Sequence, residues 1–172
     1  TILFSENSIT LSSEGKFLTE FWTNRIGFNL LIPLQNHVGL NIIVTKENGV
    51  KEEKQFPVFI KPDQPFFKFK NLAYTLDDSL LVNINFEGIL FEMEDQRNWG
   101  DASYKIYSGS LLDPFPYLEK KGANFSQTVK IDVANKKQRS FPSNNIVKVD
   151  HTTSYKFPKI GIKIDSCLLY TS

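Results

Sequence analysis

The sequence predicts an all-β protein, an antiparallel β-sandwich, and three observations carry that reading. Fifteen Phe, six Tyr and two Trp raise the aromatic content to 13%, and aromatic and β-branched side chains suit a pleated, half-buried surface better than a helix. Apolar residues recur with a period of two along several short runs, the spacing of a strand with one buried face. Polar turns separate those runs at regular intervals, and no amphipathic helical pattern exceeds two turns.

The first clear run is Ile26, Phe28, Leu30 and Ile32, stopped by Pro33. Leu40 to Thr45 and Val50 to Phe56 follow, on either side of Lys46–Gly49. The Asn48-Gly49 pair takes up the positive φ of a tight turn, so these two runs are predicted to form a hairpin. Phe66, Phe67 and Phe69, after Pro65, mark another short strand. From Leu80 to Glu94, Val82, Ile84 and Phe86 share one face, with Asn83, Asn85 and Glu87 opposite. Gly88 interrupts the pattern. Ile89, Phe91 and Met93 then share a face, with Leu90, Glu92 and Glu94 opposite, which reads as a second hairpin turning at Glu87-Gly88. Ser103–Ser108, Gln127–Val133, Ile146–Val149 and the alternating Ile160, Ile162 and Ile164 read as later strands. Asp113–Pro116 and Asn135–Lys137 read as turns or loops. The expected core is Val82, Ile84, Phe86, Phe91 and Met93, joined by Ile26 and Phe28.

A chain of 172 residues is one average domain, or one domain plus the edge of another. The formal net charge of +1 lacks the basic excess that nucleic acid or an anionic membrane would call for, so neither is an expected partner. No apolar run approaches the ~20 residues of a membrane-spanning helix. No signal peptide opens the chain, which suggests a cytoplasmic protein, although Thr1 in place of Met leaves the native start open. One Cys and two His argue against a disulfide scaffold and a Cys/His zinc cage. No P-loop, G-x-G-x-x-G or G-x-S-x-G signature is present, and neither a cofactor nor a metal is expected. His37 and His151 each stand alone in loop-like contexts and read as surface histidines.

The densest polar stretch is Phe91–Lys105, with Glu92, Glu94, Asp95, Arg97, Trp99 and Asp101 as candidate substrate-binding or domain-interface residues. Glu92 and Glu94 stand two apart on a strand, hence on one face and ~6.5–7 Å apart along it. That overlaps the ~6.5–9.5 Å of inverting glycosidase carboxylates, though such pairs ordinarily come from different elements. A solvated strand face followed by a loop accounts for the same pattern. A calcium loop fails, because Arg97 and Trp99 occupy ligand positions. Arg97, alone among four acids, is expected to grip at least one of them and to organise all into one linked network. Trp99 either stacks on a sugar ring or fills the core, and a lone Trp favours the core.

Four stretches together resemble one family. Phe91-Glu-Met-Glu-Asp-Gln-Arg-Asn-Trp99 with Asp101–Lys105 and Tyr107, Thr23–Phe28 with Pro33, Phe56-Pro57 through Gln64-Pro65-Phe66, and Leu112–Tyr117 are similar in order and spacing to motifs of the D-apionate lactonase family. Gly100 departs from the small hydroxyl residue usual there. The resemblance runs from about Thr1 to Asp165. It implies the later part of an N-terminal, supersandwich-like domain, incomplete at its N-terminal side, that precedes a TIM barrel related to glycoside hydrolases. It also implies hydrolysis of a sugar-acid lactone, with the catalytic residues on the barrel. The expected boundaries are a partial sandwich over 1–155 and a linker with the first barrel strand over 156–166, where Phe157–Gly161 carries the likeness. Cys167–Ser172 matches one reading frame of a transposon end used in sequencing libraries, so 167–172 is expected to be adapter-derived and the chain a metagenomic fragment; the other reading is a genuine last strand. The expected partners are a sugar-acid lactone or other carbohydrate and the barrel of the same polypeptide. The alternatives are an accessory domain of a glycoside hydrolase and a non-catalytic carbohydrate-binding or structural sandwich.

Overall fold

The computed structural model describes residues 1–136. They form twelve strands: β1 (Ile2–Phe4), β2 (Ser8–Lys16), β3 (Phe21–Thr23), β4 (Asn29–Pro33), β5 (Asn41–Lys46), β6 (Lys51–Gln55), β7 (Phe66–Leu76), β8 (Leu80–Glu87), β9 (Phe91–Asp95), β10 (Ser103–Ser108), β11 (Tyr117–Glu119) and β12 (Asn124–Asn135). A short 3-10 turn, Gln96–Trp99, joins β9 to β10. The strand Ile146–Val149, the run Ile160–Ile164, His151, and the segments 156–166 and 167–172 lie outside the described residues, as does the boundary at 155.

The chain is all-β and antiparallel. Ten strands share one sheet in the order β1-β2-β12-β8-β7-β9-β10-β4, with β5 added on β7 and β6 on β5, while β3 and β11 form a separate ribbon. The sheet curls over a single core. Ile32 of β4, Val44 of β5, Leu72 of β7, Ile84 of β8, Met93 of β9, Ile106 of β10 and Val129 of β12 meet in one buried cluster, although their strands span the sheet. Aromatic rings fill its middle. Phe86 and Phe91 stack with centroids 4.4 Å apart, and Phe56 lies 5.2 Å from Tyr104 and 5.5 Å from Tyr74.

The hairpin at Asn48-Gly49 forms as expected. β5 and β6 pair with Thr45 opposite Lys51, Gly49 sits at φ +83°, and the Lys46 N–H donates to the Val50 carbonyl at 2.8 Å. The second predicted hairpin does not form. β8 and β9 are not partners; both pair antiparallel with β7, β8 along Asn71–Leu76 and β9 at Phe66 and Phe69. The chain therefore runs on in the same direction past Gly88 and continues the same edge of β7, which itself shifts register between Phe66 and Phe69. Ile89, in the interruption, is exposed rather than sharing the inner face of Phe91 and Met93. Gly88 marks a break because the chain there adopts φ +98°, and a Cβ would strike the Ser126 carbonyl of β12. Gly88→Ala should cost ~2–3 kcal/mol through backbone strain and that collision, seen as a lower urea midpoint at unchanged slope. An unmoved midpoint would show that the break tolerates a side chain.

Of the expected core, Val82, Ile84, Phe86, Phe91 and Met93 are buried and Phe28 packs against them, but Ile26 stays outside the cluster. Gly27, at φ +139°, breaks the alternation between the two. The Ile26 carbonyl instead accepts from the Ser108 hydroxyl (2.8 Å) and the Gln127 amide (3.2 Å), and Gln127 returns an oxygen to the Phe28 N–H. His37 is buried, not a surface histidine. Its ring packs edge-on against Phe56 and Tyr74 at 5.6 and 5.4 Å, and Nδ1 lies 2.9 Å from the Gln35 carbonyl. Burial in the same place pushes the Tyr74 phenol up to about 12.

Candidate functional site

β9 carries three of the six predicted site residues, Glu92, Glu94 and Asp95, into the sheet between β7 and β10. Successive strand side chains alternate faces, so Phe91, Met93 and Asp95 face one way, and Glu92 and Glu94 the other. β10 lies across from it with Tyr107 opposite Glu92, Lys105 opposite Glu94 and Tyr104 opposite Asp95. Each acid thus meets a polar or aromatic partner supplied by antiparallel register. The expected single network resolves into separate sets, because the alternation puts Asp95 on the opposite face from its neighbours.

Glu92 is 0% exposed. Its Oε1 accepts from the Tyr107 hydroxyl at 2.6 Å and the Leu111 N–H at 2.7 Å, and its Oε2 from the Ser110 hydroxyl at 2.7 Å. Burial, then the bond to Glu92 and its charge, holds the Tyr107 phenol well above its ordinary range. Gln64 also donates to that hydroxyl at 3.3 Å. Glu92 is therefore not part of a solvated strand face. Fully buried and held by three donors, it does not face solvent as one of a glycosidase pair with a water between Glu92 and Glu94 would.

Glu94 stands partly open. It accepts from Gln96 at 2.7 Å, the Trp99 indole N–H at 3.0 Å and Lys105 at 2.9 Å. Burial alone would raise its carboxyl; the donors Lys105, Trp99 and Gln96 together outweigh that and hold it below the usual carboxylate range. Trp99 is 75% exposed, so it does not fill the core. The 3-10 turn ends there, and its indole N–H reaches back to Glu94 while the ring stays in solvent.

Asp95 and Arg97 make the strongest pair. Asp95 is fully buried and accepts from Arg97 through Nε at 2.8 Å and a terminal nitrogen at 2.6 Å, a two-pronged grip. The Lys61 N–H adds a bond at 3.0 Å. The remaining fork of Arg97 donates to the carbonyls of Pro57 (2.9 Å), Val58 (2.9 Å) and Phe59 (3.1 Å). The Tyr104 hydroxyl donates to Pro57 as well, at 2.7 Å, and Asn98 to the Lys61 carbonyl at 2.6 Å. Burial alone would raise the Asp95 carboxyl, but the bonds from Arg97 and Lys61 bring it below its ordinary value, and Asp95 in turn raises Arg97. Asp101 stands apart, accepting from the Ala102 N–H and, at 3.1 Å, the Ser103 hydroxyl.

Two of the motif stretches thus meet in space: loop 57–61 is pinned backbone-first onto the turn that follows β9. The other two meet beside Glu92. Arg25 lies over the Tyr107 ring at 4.9 Å and the Phe115 ring at 6.0 Å. Arg25 was not among the candidates read from sequence. The signal available was composition: Arg25, Arg97 and Arg139 are the three arginines among 20 basic residues, and a planar fork stacks on rings and grips acceptors as an ammonium cannot. Among the described residues, no group of three or more His, Cys, Asp or Glu gathers as a metal site, and no helix is long and apolar enough to cross a membrane.

Comparison with known proteins agrees with the motif stretches. Residues 1–136 match the family described as D-apionate lactonase, N-terminal domain. A D-apionate lactonase of Brucella anthropi is 33% identical over 164 residues, covering 93% of this chain and 27% of that protein. The chain thus spans about a quarter of the length of that relative. No solved structure matches.

Proposed function

The chain belongs to the D-apionate lactonase family through its N-terminal domain, and from that premise we propose that it is the accessory β-domain of an enzyme that hydrolyses a sugar-acid lactone. The family match over residues 1–136 carries the reading. Lactone opening needs an activated water and donors for the oxyanion. The acids here are engaged otherwise: Glu92 by three donors, Asp95 by Arg97 and Lys61, Glu94 by Lys105, Trp99 and Gln96. The chemistry is therefore assigned to the rest of the polypeptide, in the proposed arrangement a TIM barrel, and the cluster to holding shape.

What it holds is an apolar apex. Val58, Phe59 and Ile60 are exposed, Phe59 at 86%, on a loop whose carbonyls Arg97 fixes, and Trp99 is exposed on the adjoining turn. We assign this apex to docking against the catalytic part. The 172-residue chain should show no lactone turnover. In a full-length enzyme carrying it, Phe59→Ser should lower both melting temperature and turnover, while leaving the melting temperature of the isolated chain unchanged. Equal effects in both contexts, or none in either, would refute docking. Turnover by the isolated chain would refute the accessory role itself. A second reading, Trp99 as a platform for a sugar ring, is favoured by its exposure; neutral sugars shifting Trp99 fluorescence in the isolated chain would select it.

A further inference from the structure

The Arg25 Nε has no hydrogen-bond partner where it should have one. It is buried, and no ion pair to Arg25 occurs among the described residues, whereas Arg97 spends its whole fork on Asp95 and three carbonyls. A buried donor left unsatisfied is expensive, more so when it is charged. The surroundings add to that. The Tyr107 ring at 4.9 Å and the Phe115 ring at 6.0 Å face the cation with their π-systems, which attract it without supplying a charged acceptor. Glu92 makes no ion pair with it among the described residues; its oxygens accept from Tyr107, Ser110 and the Leu111 N–H. The Arg25 stem runs beside Gly109, and its backbone carbonyl accepts from the Thr23 hydroxyl at 3.2 Å. The Tyr107 hydroxyl is already committed, donating to Glu92 at 2.6 Å and accepting from Gln64 at 3.3 Å, so it brings no negative charge to Arg25.

A planar cation with an unpartnered N–H, set between aromatic faces, suits a planar anion with two oxygens, a carboxylate. We propose that Arg25, framed by Tyr107 and Phe115, is a carboxylate-binding site separate from the Asp95–Arg97 clamp. Two sources share that chemistry: the carboxylate of a small sugar acid, and an acidic side chain from elsewhere in the full-length polypeptide. The site is read from the surroundings of Arg25 alone; only the choice of a sugar acid as probe rests on the proposed lactonase role.

The test is an NMR titration of the 172-residue chain, following the arginine Nε–Hε signals, of which the sequence allows three. Sodium gluconate should shift the Arg25 signal to saturation at millimolar concentration, while sodium chloride at equal ionic strength and neutral glucose should not. The Arg97 signal, held by Asp95, should stay in place. Arg25→Lys keeps the charge but not the fork, so it should weaken gluconate binding about tenfold or more, read from backbone amides around Tyr107. Gluconate binding more tightly than acetate assigns the carboxylate to a sugar acid; equal binding assigns it to a protein side chain. An Arg25 signal that responds to gluconate no more than to chloride, or binding unchanged in Arg25→Lys, overturns the proposal. The wild-type titration stands even if the variant misfolds, and it is independent of any lactonase assay.

Discussion

Phe91→Ala should destabilise the domain by ~3–5 kcal/mol, the cost of losing a fully buried aromatic ring and leaving a cavity behind it. The side chain is completely buried where β8 gives way to β9, stacked 4.4 Å from Phe86, which in turn meets Phe69 at 5.6 Å. These three rings belong to β8, β9 and β7, the strands on either side of the Gly88 interruption. β8 and β9 share no ladder with each other and are joined through β7, so the rings add the direct packing across the break. The surroundings are ill placed to collapse into the hole, since β7 is already held on both sides by β5 and β8. The measurement is the urea midpoint of Phe91→Ala beside that of Phe91→Leu, which retains most of the volume and should lose markedly less. A loss below ~1 kcal/mol for Phe91→Ala would mean that the ring is not a core element.

The same place shows what a sequence can and cannot reveal. Asn48-Gly49 and Gly88 carry similar local information, a residue suited to positive φ between alternating runs. At Asn48-Gly49 the flanking runs are each other's partners, so turn chemistry alone suffices. At Gly88 each run is better satisfied by β7, and a preference set by a strand some 15 residues upstream leaves no mark on the dipeptide. The faces of Val82, Ile84 and Phe86 were legible because period-two alternation is local. The failure at Ile26 follows from Gly27, whose φ is dictated by Gln127 and Ser108 crowding its Cβ position from about 100 and 80 residues away.

The site was legible to the same extent. A lone Arg among acids predicts a pair, and the pair exists. Which acid it holds depends on alternation plus the cap: Asp95 is both the last strand residue and the cap of the 3-10 turn, so its carboxylate meets the Arg97 N–H as well as the fork. That the rest of the fork serves loop 57–61 could not be read, because those carbonyls are 38 to 40 residues away. Trp99 illustrates the limit of composition: its size argued for the core, but its position at the end of the turn, with the N–H drawn to Glu94, keeps the ring outside.

Asp95→Ala should cost ~3–5 kcal/mol, the range for removing one partner of a buried ion pair. The loss goes beyond the pair itself. The Asp95 side chain is wholly buried and that of Arg97 is 15% exposed, so the variant strands a largely buried guanidinium together with the Lys61 and Arg97 N–H groups that Asp95 accepts. Arg97→Lys should cost less, because the charge remains, yet it should still loosen loop 57–61: an ammonium cannot hold Asp95 at two points and three carbonyls at once. The pH dependence gives a second signature. The folded Asp95 carboxyl lies below its ordinary value of 3.8, so the unfolded chain takes up the proton first. Its contribution is complete above that value and is lost as pH falls through the lower, folded one. Wild-type stability should therefore drop with acid below pH ~4, and the drop should be shallower in Asp95→Ala, which has no carboxyl to protonate there. Urea midpoints at neutral pH and at successive acid steps, for wild type, Asp95→Ala and Arg97→Lys, measure both effects. If Asp95→Ala matches wild type at neutral pH and follows the same acid curve, the clamp adds no stability and loop 57–61 is held by Tyr104 and Asn98 instead.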